Sequence, residues 1–396
     1  MFNRRSFLGG ATLAAVGVPL LGAAGCGSPQ NAGLTSGSGA GQAGALPLTI
    51  TNDSGSFGSD QIRVYIVGTD LATGQQSYVT ADGTLRPVSE SDNTDDGFTD
   101  YSIPLSGDTT ELSLPFMSGR IYFALGDKLR FKVVADGDGR AALQYPAGWV
   151  ESDPNYEVLH DTVEFTHNTS GMFCNTSMVD QFSVPLSIKL TGDADQTTGT
   201  FKPGGRDAVF DAIAADSDYS PLVVGDRLRV IAPGHGLDTG VFPSDYYDPY
   251  IDEVWSRYAG TDLRVTTNAG TFTGRVNGSD QLVFDNGVAP ISRPSTRDVF
   301  FCDGALAAPN DGITGPVAAI LGAAFNRSTL LDVAEQPTTD AAAFYQHAIT
   351  NRYAGVFHEY TEDGKAYGFA FDDVVDFASY IQDHAPAAFA VTISPF

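Results

Sequence analysis

Basic residues are scarce in this 396-residue chain: 22 Lys and Arg stand against 48 Asp and Glu, for a formal net charge of −26. That balance argues against a nucleic-acid partner, whose phosphates need Lys and Arg, and against electrostatic docking on an anionic membrane. It suits an exported protein that stays soluble and monomeric, and it tolerates a neutral polymer as partner. Metal-binding patterns are missing too. The six histidines, at 160, 167, 235, 347, 358 and 384, form neither HExxH nor a comparable spacing. No loop resembles a phosphate cradle and no GxSxG is present, so no metal and no cofactor is expected. "HGLDTG" and "HEYTEDGK" read as isolated loop histidines. Cys302, in "CDGALAAPNDG", has no base near it in sequence and is not read as a nucleophile. Apolar content is ordinary, with plentiful Gly and aromatics, which excludes disorder for most of the chain.

Long hydrophobic runs are absent except at the start. "MFNRRSFLGGATLAAVGVPLLGAAGC" carries Arg4-Arg5, then an apolar stretch diluted with Gly and Ala from Phe7 to Gly25; the next charged residue is Asp53. This fits a twin-arginine export signal. The competing reading is a weak transmembrane anchor, against which the many small residues count. "LLGAAGC" resembles a lipoprotein processing box, with Ala23 where Leu is more usual, and makes Cys26 a candidate lipid anchor. The Gly/Ser/Ala segment that follows reads as a flexible tether. Together they imply a secreted or membrane-tethered extracytoplasmic bacterial protein. Cys174 and Cys302 then remain, either as one bridge or as two buried thiols.

From Leu46 to about Leu190 the pattern is β. "LPLTITND", "QIRVYIVGTD", "RIYFALGDKLRFKVVADG" and "DTVEFTH" are short alternating runs separated by Gly, Asp, Asn and Pro, which implies a sandwich or flattened barrel. Beyond it the texture is mixed. "RDAVFDAIAAD", "DPYIDEVWSRYAG" (Pro249 at its start), "GPVAAILGAAFNRSTLL" and "DAAAFYQHAITNRYAG" read as helices, and "DRLRVIAPGHG" and "TDLRVTTNAGTFTGRV" as strands. After Gly355 "KAYGFAFDDVVDF" and "AFAVTISPF" read as strands again. The expected organisation is a signal over 1–26, a linker over 27–45, a β domain over 46–190, an α/β domain over 191–355 and a segment over 356–396 that returns to the β domain.

Two carboxylates stand out in "DTVEFTHNTSGMFCNTSMVDQFSVPL". As a strand, this segment turns Val163 and Phe165 to the core and sets Glu164, Thr166 and Asn168 on the opposite face. An acid flanked by a hydroxyl and an amide suits a sugar-binding groove. Simple alternation puts Asp180 on the apolar side with Met178, Phe182 and Val184. An unpaired buried carboxylate is costly, so the alternation must break there or the groove must reach it. Asp372 and Asp373, after the aromatic run at 367–371, read as a strand end that caps a helix.

The blocks "DPNYEVLHDTVEFTHNTSGMFCNTSMVDQFSVPL", "SGRIYFALGDKLRF", "YYDPYIDEVWSRYAG", "CDGALAAP", "NRSTLL" and "DGKAYGFAFDDV" together resemble glycoside hydrolase family 64, the laminaripentaose-producing β-1,3-glucanases. "AYGFAFDD" and "FAVTISPF" also resemble segments of thaumatin-like proteins. The resemblance implies a thaumatin-like β-barrel or sandwich domain plus a mixed α/β domain flanking a wide groove. It implies Glu164 as general acid and Asp180 as general base of an inverting hydrolase, about 6.5–9.5 Å apart, with an acidic groove favouring the protonated Glu164. Thr166 and Asn168 are then subsite residues, and Asp372 a cleft acid. For stacking, the segment after Glu164 offers only Met172 and Phe173 where relatives carry Trp. The implied partner is β-1,3-glucan, such as curdlan, laminarin or the fungal cell wall. The alternative is a non-catalytic thaumatin-like glucan-binding surface lipoprotein.

Overall fold

The structure, a computed structural model of the chain, describes residues 44–396. Arg4-Arg5, Cys26 and the tether lie outside the described residues.

Alternation of apolar and polar side chains makes the first half a stack of two open sheets. One has five strands, in the order Asp195–Thr198, Leu186–Thr191, Ala388–Ile393, Leu46–Asn52 and Thr109–Leu114. The larger sheet runs through Tyr380–Asp383, Gly171–Thr176, Leu159–Asn168, Met117–Leu125, Ile62–Asp70, Gln76–Val79 and Leu85–Pro87, with Ile103–Pro104 paired to its side. Their facing sides meet in one core that includes Leu48, Ile50, Val64, Ile121, Phe123, Val163, Phe165, Ile188 and Val391. Of the two architectures expected, the described residues form the sandwich. The C-terminal strand Ala388–Ile393 lies inside the five-stranded sheet, parallel to Leu46–Asn52 and antiparallel to Leu186–Thr191.

The outer face of the larger sheet is divided. One part is covered by Leu129, Phe131, Val133 and Leu143 packed on Tyr65 and Tyr122. The other part carries cross-strand rows of polar residues. Gly68 faces Gly119 at the junction, and a Cβ on either would lie 2.2 Å from a carbonyl oxygen of the opposite strand. Only side-chain-free residues allow this approach, and it immediately precedes Arg120.

The second lobe has its own core, built on helices Gly205–Ala214, Asp248–Gly260, Thr314–Asn326 and Arg352–Tyr360. Pro249 occupies the first turn of Asp248–Gly260, where its missing N–H costs nothing. Thr314–Asn326 is buried on nearly every side, which its apolar sequence permits. Leu263–Thr267 and Gly270–Val276, within a segment read as strands, pair as a hairpin. A small sheet of Gln181–Phe182, Arg229–Ile231 and Val223–Val224 ties this lobe to the sandwich.

Two expectations are corrected. Residues 365–377, read as an aromatic strand and helix start, form turns with positive φ at Val375 and Asp376. The cause is Asp372, whose carboxylate accepts from Gly368 N and curls the segment onto itself. The helix expected from Asp340 is a single turn, Ala341–Ala343, and the α-helix begins only at Arg352 behind an Asn351 cap. Of the two readings open for the remaining cysteines, the structure has the buried thiols: Cys174 and Cys302 sit in different cores and no bridge joins them. Burial pushes both thiols upward, away from thiolate chemistry.

Candidate active site

Strand register builds the site. Across the polar part of the larger sheet, Arg120, Glu164, Asn175 and Tyr380 stand in one row, and Ser118, Thr166, Phe173 and Gln382 in the next. Directly opposed side chains on one face of a sheet are in contact range. Arg120 Nε donates to Glu164 Oε1 at 2.9 Å, and its Nη2 lies 2.8 Å from the same oxygen. Asn175 Nδ2 reaches Oε2 at 3.4 Å. In the next row the Ser118 and Thr166 hydroxyls share a hydrogen bond of 2.8 Å. Val163 and Phe165 alternate into the core beneath.

Asp180 arrives differently. It occupies a bend between Gly171–Thr176 and Gln181–Phe182, and this breaks the alternation that would have buried it. The bend is held from below: Met178 N donates to the Tyr367 carbonyl at 2.9 Å, and Tyr353 Oη donates to the Met178 carbonyl at 2.6 Å. Asp180 Oδ2 lies 3.9 Å from Arg120 Nη2, the nitrogen that also holds Glu164. Its Oδ1 accepts from His235 Nε2 at 2.8 Å. The Glu164 and Asp180 side chains keep 28% and 32% of their surface open, so both face solvent across one guanidinium. Burial works against the Arg120 charge, but Tyr122, Glu164 and Asp180 outweigh it and hold the guanidinium above its ordinary pKa.

Asp180 stands between two recesses. Arg120, Tyr122, Trp149, Thr162 and Ser177 line one, and Val179, Pro233, Phe301, Gly368 and Ala370 line the other. Trp149 is half-buried and stacks on His235.

A buried acid fixes the two carboxylates relative to each other. Asp161, in Glu164's strand, accepts at Oδ2 from the backbone N–H groups of Ser183 (2.8 Å) and Val184 (3.2 Å), just beyond Asp180. Asp161→Ala leaves these donors without their acceptor. The variant is expected to lose about 1–3 kcal/mol, read as a lower urea midpoint.

Of the residues singled out from the sequence, Glu164, Thr166, Asn168 and Phe173 lie half-buried on one sheet face, with Asp180 beside them. Asn168 is turned to its own hairpin, where Oδ1 accepts from Ser170 N at 2.7 Å. Phe173 is open to the face, while Met172 is fully buried and offers no stacking surface. Asp372 is not on this face. It is 0% exposed, with Oδ1 3.1 Å from Arg327 Nη2 and Oδ2 3.0 Å from His358 Nε2. The acidic surroundings expected for Glu164 are also corrected, because its nearest charge is the Arg120 guanidinium.

Arg120, Trp149 and His235 were not singled out from the sequence, and His235 was read as an isolated loop residue. The carboxylates that Arg120 and His235 hold lie 44 and 55 positions away along the chain, and Trp149 joins them by stacking on His235. Only pairing of Arg120's strand with Glu164's, and of Gln181 with Ile231, brings them in. Among the described residues no cluster of His, Cys, Asp and Glu could hold a metal, and no helix is long and apolar enough to cross a membrane.

A family model for glycoside hydrolase family 64, described as Beta-1,3-glucanase, matches residues 44–393. The chain belongs to this family. It is 37% identical over 368 residues to glucan endo-1,3-beta-glucosidases of Arthrobacter sp. (strain YCWD3) and Cellulosimicrobium cellulans, covering 89% of this chain and 65% of each relative. The chain thus spans just under two-thirds of the length of these curated relatives. Among solved structures it is similar to a laminaripentaose-producing beta-1,3-glucanase in complex with laminaritetraose, with a TM-score of 0.81, 37% identity and coverage of 89% of this chain and 99% of that one. A family 64 beta-1,3-glucanase domain from Clostridium beijerinckii gives a TM-score of 0.79 at 30% identity, covering 91% of this chain and 100% of that one. The sandwich with its mixed α/β part is the fold that this chain shares with these β-1,3-glucanase structures.

Proposed function

We propose that this protein is an extracytoplasmic β-1,3-glucanase that hydrolyses glucan by inversion, with Glu164 as general acid and Asp180 as general base. The observation that carries this reading is the shared guanidinium. Glu164 and Asp180 flank one nitrogen of Arg120, which brings their nearest oxygens within about 7 Å of each other on one open face, the reach of a carboxylate pair acting on a single glycosidic bond; inversion is the part of the proposal that the family resemblance supports. Glu164 gives its proton to the leaving glycosidic oxygen from Oε2, since Arg120 holds Oε1. Asp180 takes a proton from water on the other side of the sugar ring. Arg120 offsets the negative charge that builds up between the two side chains once Glu164 has given up its proton. Thr166, its hydroxyl oriented by Ser118, presents a hydrogen-bonding group to sugar hydroxyls. Phe173 and Trp149 present apolar surface to ring faces.

The names of the relatives support β-1,3-glucan as substrate and short laminari-oligosaccharides, such as laminaripentaose, as products. Curdlan, laminarin and the fungal cell wall are the substrates to try. Export by the twin-arginine route, attachment through Cys26 and a monomeric state complete the proposal, supported by Arg4-Arg5, the sequence around Cys26 and the net charge of −26. Hydrolysis of a linear β-1,3-glucan followed by proton NMR is expected to show the α-anomer first. Initial release of the β-anomer would overturn inversion, and binding without release would overturn turnover.

A further inference from the structure

Asp180 makes its shortest described side-chain contact with a histidine that the acid–base scheme does not use. We propose that His235 is a positioning residue for Asp180, fixing the carboxylate's orientation toward the groove. The inference rests on Asp180 being the base in the reading above.

The geometry is built from both sides. Gln181 pairs with Ile231, and the Asp180 carbonyl accepts from Ala232 N at 3.0 Å. The chain then turns, and His235 N donates back to the Ala232 carbonyl at 3.0 Å. This delivers the imidazole to the same residue whose backbone is already tied. His235 is only 7% exposed. Its ring stacks on Trp149 at 4.2 Å and 14°, and meets Phe301 edge-on at 5.7 Å and 72°. Two features keep these rings in place. Gly234 lacks a Cβ that would strike the Phe301 ring at 2.5 Å. The loop carrying Trp149 is clamped by the buried Arg229, which donates to the carbonyls of Gly148 and Val158. The imidazole therefore cannot turn away from Asp180 without unpacking two aromatic rings.

The charged groups around His235 favour its cationic form. Asp180 faces Nε2, and Asp238 Oδ2 lies 3.9 Å from Nδ1 while Asp238 Oδ1 pairs with Arg297 at 2.7 Å. Arg120 approaches from the far side of Asp180. Burial disfavours charge on the ring, but the hydrogen bond to Asp180 and the nearby Asp238 carboxylate outweigh it and move His235 above the ordinary imidazole pKa. A donor of this kind stabilises the ionised base. Asp180 then stays a carboxylate to lower pH than it would alone.

Two measurements on the whole protein test this. The first is the pH dependence of tryptophan emission, since a protonated imidazole stacked on an indole quenches it. Emission is expected to rise with pH through a midpoint above about 6.5, with the midpoint moved down in Asp180→Asn and the transition lost in His235→Gln. A midpoint that Asp180→Asn leaves unmoved overturns the coupling, whether or not the protein is active. The second is the pH profile of glucan hydrolysis. His235→Leu is expected to lose 10-fold or more in kcat with KM within 2-fold, and its acid limb to move up by about one pH unit. His235→Gln, which retains a neutral donor, is expected to fall between. Unchanged kcat and acid limb in both variants, with intact thermal unfolding, overturn the positioning role. A wild type that responds in emission but releases no sugar refutes the hydrolase reading instead.

Discussion

Glu164→Gln and Asp180→Asn are each expected to reduce kcat on linear β-1,3-glucan by about 10²–10⁴-fold, with laminari-oligosaccharide binding retained. Both substitutions keep the size of the side chain and an acceptor oxygen while removing the proton chemistry. Arg120 is bound to Glu164 by two nitrogens and lies 3.9 Å from Asp180, so it keeps a carbonyl partner in either variant. The row of Ser118, Thr166 and Phe173 is untouched. Reducing-sugar release with calorimetric binding of laminaritetraose checks this. Near-wild-type turnover in either variant would remove that residue from the acid–base pair. Loss of binding in step with loss of turnover would make it a substrate anchor.

The second large effect concerns stability. Asp372→Ala is expected to destabilise the protein by about 3–5 kcal/mol, because it strips one partner from a fully buried ion pair. Arg327 is 3% exposed and donates to the Asp372 carboxylate and to the carbonyls of Asp372 and Val374, with Phe344, Phe369 and Phe377 packed around its guanidinium. Without the acid, a guanidinium and an imidazole are left together in an apolar setting. The 365–377 turns, from which Tyr367 supports Met178, lose their central fastening. Chemical denaturation should show a lower midpoint, while KM of the folded fraction stays at the wild-type value. A raised KM with unchanged stability would instead return Asp372 to the groove, as the sequence resemblance suggested.

The strand Leu159–Asn168 shows how much local pattern can specify. Alternation alone put Val163 and Phe165 inside and Glu164 and Thr166 outside, because side chains on a strand must point to opposite faces. The same rule failed two segments later. Asp180 lies in a bend whose support comes from Tyr353 and Tyr367, far away in sequence. The aromatic run around Phe369 failed for a related reason: its spacing satisfied a strand, but the buried Arg327–Asp372–His358 cluster rewards a coiled turn more. Trp149 and His235 carried no local signal, since a stack between a loop and the short helix Pro233–Thr239 leaves no periodicity in either.

By itself the sequence determined the β-rich first half, most of the helices of the second, the acidic charge and, through its motifs, the family, and it singled out the two carboxylates as candidates. Those follow from short-range periodicity and from residues close together in the chain. Tertiary structure alone decided that one arginine serves both acids, that a stacked histidine holds the second, and that Asp372 is sealed inside. Each of these is a contact between strands or lobes, and its energy exists only once burial and register have brought the partners together.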